Sequence, residues 1–138
     1  SELHWARIQE SEARHCEPDV NVLYLGDSSN GMVPTLGQGA TQAIEGACAA
    51  LTAIENRMAA GDTDIRSWLT AIEATRADRI RFVMEFSLEA SDTLLAGSDP
   101  VEGTLKKRSP AFLEKLKRLY NDIGTIGSAH PEEERAAG

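Results

Sequence analysis

The sequence predicts an α/β fold in which one buried β-strand is followed by long helices. Residues 20–25, Val-Asn-Val-Leu-Tyr-Leu, are partly β-branched and almost continuously apolar, which is typical of a strand buried on both faces. The later segments repeat apolar residues at spacings of three and four, which is the helical period. Because one strand cannot make a sheet, we expect this strand to need a partner from elsewhere.

The length, composition and charge of the chain indicate a class of protein and exclude several kinds of binding partner. The 138 residues fit one ordinary domain, and 41% apolar with 26% charged residues is usual for a soluble globular protein. A formal net charge of -8 argues against nucleic acid, whose binding needs Lys and Arg to neutralise phosphates. The sequence has no apolar run of membrane-spanning length, and its N-terminus does not resemble a secretory signal. We predict a cytoplasmic protein with no nucleic-acid, membrane or metal partner.

The chain divides into four predicted segments. Residues 1–19 are polar, and we predict that they are a connector from a missing upstream part. Residues 20–60 form a strand, a loop and a helix that ends at Gly61. The predicted buried stripe of this helix comprises Ile44, Ala47, Cys48, Leu51, Ile54 and Met58. Residues 61–123 hold the C-terminal helices, and residues 124–138 form a polar tail that we expect to be disordered.

Two helices are predicted within residues 61–123. The first starts near Asp62 or Thr63, either of which can cap it. Its predicted core residues are Ile65, Trp68, Leu69, Ile72, Ile80, Val83 and Met84. A loop follows over residues 97–103. Ser109-Pro110 supplies an N-cap and a proline at the first helical position of the second helix, which runs through Tyr120.

The candidate chemistry lies between the strand and the first long helix. Asp27 follows Gly26 at the carboxyl end of the predicted strand, where ligands bind in open α/β sheets. An ionised aspartate only accepts hydrogen bonds, so Asp27 suits ribityl or sugar hydroxyl groups and would repel a nearby phosphate. On the residues alone, a turn or capping role for Asp27 is an open alternative.

Gly37-Gln38-Gly39 opens the first long helix. The free N–H groups at a helix start, together with the positive end of the dipole, favour a negative or carbonyl oxygen. Two glycines allow a flat ring to approach, and Pro34 presents a rigid segment without an N–H group. These features suit a reduced flavin. The alternative is a tight connection after a stiff loop, with Gln38 and Gln42 on a solvated helix face.

Residues 26–47 resemble the second flavin-binding motif of the class A FAD-dependent aromatic monooxygenases, the p-hydroxybenzoate hydroxylase-like family. The family pattern is similar to GDAAHxxxPxxGQGxNxAIEDA, and this chain reads GDSSNGMVPTLGQGATQAIEGA. Residues 72–79, IEATRADR, weakly resemble the family's frequent YExxRxxR. The resemblance implies that the chain is the C-terminal fragment of a Rossmann-like FAD/NAD(P)-binding fold.

The resemblance also implies a cofactor, a reaction and a site. It implies FAD, with NADH or NADPH as reductant, and the hydroxylation of an aromatic or heteroaromatic small molecule with O2. Asp27 would bind the ribityl chain, Pro34 would lie near the ring, and backbone N–H groups of residues 37–41 would face the pyrimidine edge. The implied cofactor-binding residues are Gly26, Asp27, Pro34, Gly37, Gln38, Gly39, Ala40 and Thr41. No catalytic residue is implied.

The family's AAH is Ser28-Ser29-Asn30 in this chain, and its ED is Glu45-Gly46. Asn30 stands where the family has a histidine, and an amide cannot titrate, so a proton-handling role at that position is in doubt. Gly46 replaces the usual aspartate. Neither change affects Asp27 or the backbone of the glycine turn.

The family's GxGxxG fingerprint is missing, because Gln42 occupies the third glycine position after Gly37 and Gly39. We therefore expect a companion polypeptide that supplies the dinucleotide-binding and substrate segments. Alternatives are a non-catalytic helical interaction module, or another flavin enzyme of the same fold, an epoxidase or a halogenase. We interpret Arg76, Arg79 and Arg81 as solvated or salt-bridged helix residues rather than as a cofactor clamp.

Overall fold

The computed structural model describes residues 9–17, 19–94 and 97–123, and most of these residues are helical. The helices are α1 (Asp27–Asn30), α2 (Gly39–Ala59), α3 (Ile65–Ala90), α4 (Pro100–Lys106) and α5 (Pro110–Asn121). Short 3-10 helices span Pro34–Leu36 and Asp92–Leu94. No helix in this described part of the chain is both long and apolar enough to cross a membrane.

The predicted α/β, Rossmann-like fold with a buried strand is wrong. Across the described ranges there is no sheet, and the pairing of residues 20–25 is limited to one antiparallel bridge between Cys16 and Leu23. Val20 is 50% exposed and Leu25 is 40% exposed. An apolar run becomes a doubly buried strand only when other strands flank it. Here no described strand does so, and the run lies beside α2, with Leu25 facing Gly46.

α2 and α3 pack against each other as a helical hairpin. Gly61, in the turn between them, has a φ of 75°, a left-handed conformation that glycine adopts without strain. Asp64 rather than Asp62 or Thr63 caps α3, and its side chain accepts a hydrogen bond from the Arg66 N–H at 3.0 Å. The predicted core residues buried on α3 are Leu69, Ile72, Ile80, Val83 and Met84, whereas Ile65 and Trp68 are not buried.

The predicted buried stripe of α2 is not its buried face. Ile44, Leu51 and Met58 are 67%, 58% and 60% exposed, and Cys48 and Ile54 are half-buried. The face that packs on α3 carries Gln42, Glu45, Gly46, Ala49 and Ala50. A helical period identifies an apolar stripe on one side of the helix. It does not tell which part of this chain, or which other polypeptide, covers that stripe. The buried face combines these small residues with Gln42 and Glu45, and the two polar side chains are accommodated because two arginines of α3 pair with them, as described below.

The hydrophobic core lies between α3 and α5. Val83, Phe86 and Ala90 pack with Phe112 and Leu119, and the rings of Phe86 and Phe112 are 4.9 Å apart between centroids. As predicted, Ser109 caps α5 and Pro110 begins it. α4 lies in the stretch predicted as a loop.

Candidate functional site

The structure brings Asp27 next to the start of α2. Asp27 is exposed and begins α1, directly after Gly26, which has a φ of 60°. A Cβ atom at Gly39 would lie 3.9 Å from Asp27 Oδ1. The Asp27 carboxylate makes no hydrogen bond or ion pair with any described residue. An unpaired acceptor therefore lies beside the first residue of α2.

The first turn of α2 leaves its N–H groups available. The first helical hydrogen bond runs from the Gln42 N–H to the Gln38 carbonyl at 2.8 Å, so the N–H groups of residues 39–41 have no helical acceptor. The N-cap residue, Gln38, gives no side-chain cap and instead donates to the Leu36 carbonyl at 3.3 Å. These N–H groups and the helix dipole favour a negatively polarised oxygen at this end.

Gly37 provides an open approach to this turn. Its φ is 63°, and a Cβ atom built on it would meet nothing within 4 Å. Its N–H donates to the Pro34 carbonyl at 2.9 Å, which links the exposed Pro34 to the same turn. The hydroxyl groups of Thr35 and Ser91 are hydrogen-bonded, so the loop is tied to the residue after α3.

Two predicted features of the site have different surroundings from those expected. Gln38 is 4% exposed and Gln42 is 1% exposed, so the alternative that placed both on a solvated helix face is wrong. Asn30, which replaces the family's histidine, is also buried, and its Nδ2 atom has no hydrogen-bond partner. It therefore does not present its amide to the open side of the site.

A buried ionic network anchors α2 below the candidate site. Glu45 accepts hydrogen bonds from Arg76 Nη1 at 3.2 Å and from Arg79 Nε and Nη2 at 3.1 and 3.0 Å. Arg76 Nη2 donates to Gln42 Oε1 at 2.8 Å, and Arg79 Nη2 also donates to the Leu119 carbonyl. The Glu45 carboxylate thus joins α2 to α3, and Arg79 joins α3 to α5.

The network is almost fully removed from water, because the side chains of Glu45, Arg76 and Arg79 are 5%, 3% and 9% exposed. Burial lowers the pKa of the Arg76 guanidinium, and the hydrogen bond and charge of Glu45 oppose that shift. Arg76 and Arg79 are salt-bridged, as predicted. Arg81 pairs with Asp78 at 3.0 Å on the surface, also as predicted.

Sequence reasoning missed the partner of these arginines. Glu45 lies in the segment that resembles the flavin motif, and Arg76 and Arg79 lie in the segment that weakly resembles YExxRxxR. The available signal was the position of Glu45 on α2: it is one of only two acidic residues in a helix otherwise rich in alanine. A carboxylate that becomes buried when such a helix packs is costly unless a basic side chain pairs with it, so a basic partner is expected.

The residues present fit the flavin end of FAD and lack its phosphate end. An unpaired acceptor, free backbone N–H groups and open space at Gly37 lie together, whereas no glycine-rich phosphate loop is found in the sequence. No group of three or more His, Cys, Asp or Glu among the described residues is arranged to hold a metal ion. Comparison with known protein families, curated proteins and solved structures finds no match to this chain.

Proposed function

We propose that this chain is the flavin-contacting part of an FAD-dependent monooxygenase that hydroxylates an aromatic or heteroaromatic small molecule with O2 and NAD(P)H. The observation that supports the proposal most is the juxtaposition of the Asp27 carboxylate with the free N–H groups at the start of α2. A cytoplasmic location is part of the same proposal. Because the sequence has no GxGxxG fingerprint, the remainder of the cofactor site comes from another polypeptide in this proposal.

Each group has a distinct role in this proposal. The Asp27 carboxylate accepts hydrogen bonds from ribityl hydroxyl groups, and the N–H groups of residues 39–41 donate to the pyrimidine edge of the isoalloxazine. The dipole of the 21-residue α2 stabilises negative charge at that edge. When bound, FAD supplies the redox and oxygen chemistry. The protein binds and orients the ring, and the open space at Gly37 admits its flat face.

We also propose that a companion polypeptide carrying the dinucleotide-binding segment covers the outward stripe of α2. The stripe, defined as Ile44, Leu51 and Met58, is apolar and more than half exposed at each residue. It runs along the same helix whose first turn forms the candidate site, so a partner that completes the site meets it directly. Apolar side chains repeated along one exposed helix face are typical of an interaction surface.

Flavin binding to the native complex of this chain with its companion, after bound cofactor has been removed, tests the cofactor proposal. Riboflavin carries the ribityl hydroxyl groups and lumiflavin does not, so we expect riboflavin to bind more tightly, as measured by quenching of flavin fluorescence. Asp27→Asn should remove this preference. Glu55→Gln, an exposed carboxylate near the other end of α2, is the matched control and should leave it unchanged. Equal binding of the two flavins, or no binding of either, contradicts the assigned role of Asp27.

The companion proposal has a separate test. In the purified native complex, Leu51→Glu places a charge in the stripe and should release the companion chain in native mass spectrometry. Leu113→Glu, the same change on the exposed face of α5, is the control. Retention of the companion by the Leu51 variant would refute the assigned surface while leaving the flavin test unaffected.

A second candidate function is a non-catalytic helical interaction module. Two observations favour it, namely the helical architecture of the described residues and the outward stripe of α2. This candidate shares the partner surface but needs no flavin. The riboflavin titration therefore separates the two functions, because a module that binds a partner through α2 has no reason to prefer a ribityl chain.

A further inference from the structure

A cavity with a volume of about 350 Å³ lies between the segment preceding residue 16 and one face of α3. It shares no residue with the candidate flavin site at the start of α2. Its volume is within the range of small-molecule binding sites, roughly 300 to 1,000 Å³. Four carboxylates line it, those of Glu10, Glu12, Glu73 and Glu85.

The charges around this cavity are unbalanced. Arg81 is the one guanidinium among the described lining residues, and it already pairs with Asp78 at 3.0 Å. Glu10, Glu12 and Glu85 have no ion pair or hydrogen bond within the described part of the chain. Carboxylates of one sign around a partly enclosed space attract a cation, because the field lines are concentrated there.

A buried, unpartnered imidazole also lines the cavity. His15 is 5% exposed, and its ring makes no hydrogen bond with the described residues, although its backbone carbonyl accepts from the Tyr24 N–H at 2.8 Å. Burial and then the charge of Arg76 lower the pKa of His15, while Glu73 opposes them. A neutral imidazole has one nitrogen that can accept a hydrogen bond. A ligand with an N–H donor would satisfy it.

The rest of the wall is apolar. Met84 is 8% exposed and Leu88 is 46% exposed, and Ala13 and Ala77 contribute small side chains. A bare metal ion is a poor match, because no three acidic, histidine or cysteine residues in the described ranges are grouped to ligate one. The wall is better suited to a ligand with a charged end and an apolar end.

We propose that this cavity binds a small organic cation, a primary amine on an apolar body. The ammonium group lies among the glutamates and donates a hydrogen bond to the His15 imidazole, and the apolar body packs against Met84 and Leu88. The proposal is independent of the flavin function, since it depends on different residues and a different class of ligand.

The test is a titration of the full chain with 2-phenylethylamine, followed by NMR of the His15 ring and by calorimetry. The neutral analogue 2-phenylethanol has the same apolar body without the charge. We expect saturable binding of the amine that shifts the His15 ring resonances, and at least tenfold weaker binding of the alcohol. Equal binding of the two probes, no saturable binding, or saturation without a change at His15 overturns the proposal.

Variants of two exposed carboxylates that line the cavity, Glu12 and Glu85, test whether amine binding depends on the charges at this site. A double variant, Glu12→Gln with Glu85→Gln, removes two exposed and unpaired charges and should weaken amine binding about fivefold or more without unfolding the chain. Glu55→Gln, an exposed carboxylate on α2 away from the cavity, is the control and should change binding less than twofold. Similar losses in the double variant and the control would mean that only overall charge matters, and would overturn the site.

Discussion

Replacement of Glu45 by alanine tests the role of the buried ionic network in holding the helices together. Glu45 is the single carboxylate between Arg76 and Arg79, and all three side chains are at least nine-tenths buried. Without it, two guanidinium groups remain in a poorly hydrated space without their negative partner. Breaking a buried ion pair in this way typically costs about 3–5 kcal/mol of unfolding free energy.

The structure shows which guanidinium donors would lose a partner and which would keep one. Arg76 Nε and Arg79 Nη1 already lack hydrogen-bond partners. Removal of Glu45 would therefore leave further buried N–H donors of the same guanidinium groups without acceptors. Arg79 Nη2 would keep the Leu119 carbonyl, and Arg76 Nη2 would keep Gln42. Glu45→Gln retains the size of the side chain and one acceptor oxygen. It should therefore cost less than Glu45→Ala.

The assay is urea unfolding followed by circular dichroism, with the free energy taken from the midpoint and slope. Glu55→Ala makes the same change at an exposed position of α2 and should lie within about 0.5 kcal/mol of the parent chain. A loss below about 1 kcal/mol for Glu45→Ala would refute the reasoning, because it would mean that water or rearrangement readily replaces the carboxylate.

Three further predictions concern stability. Because burial lowers the folded-state pKa of His15, stability should be complete above about pH 6.5 and fall as the pH drops below it; His15→Gln should flatten that fall in thermal unfolding. Gly103→Ala places a Cβ atom against Thr93 Cγ2 and should cost about 1–3 kcal/mol in urea unfolding; an unchanged midpoint would contradict this packing. Ser109→Ala removes the cap of α5 from the Phe112 N–H and should cost about 1 kcal/mol, whereas Ser109→Thr should restore most of it.

Local sequence signals predicted where helices begin and end better than they predicted what packs against each helix. Ser109-Pro110 marked the start of α5 and Gly61 marked the turn after α2, because caps and left-handed turns depend on a few neighbouring residues. The same chemistry, Asp99 followed by Pro100, begins α4, so the start of that helix is also predictable from local sequence, although the sequence analysis predicts a loop there.

What packs against each helix or apolar segment depends on residues that are distant in the chain. The stripe of Ile44, Leu51 and Met58 has a clear helical period, but the period cannot specify whether the cover is α3 or another polypeptide. The apolar run 20–25 has the composition of a buried strand without described strands to flank it. In the candidate site, the motif marks Asp27 and Gly39, whereas the network around Glu45 depends on the packing of α2 on α3.

The most direct test of the central proposal is an intact-mass and visible-absorbance measurement on the natively purified protein. The flavin proposal predicts a yellow complex that contains this 14.9 kDa chain, a flavin and a larger chain with a GxGxxG segment. A colourless, folded 14.9 kDa species that is alone and takes up no FAD would contradict the proposal.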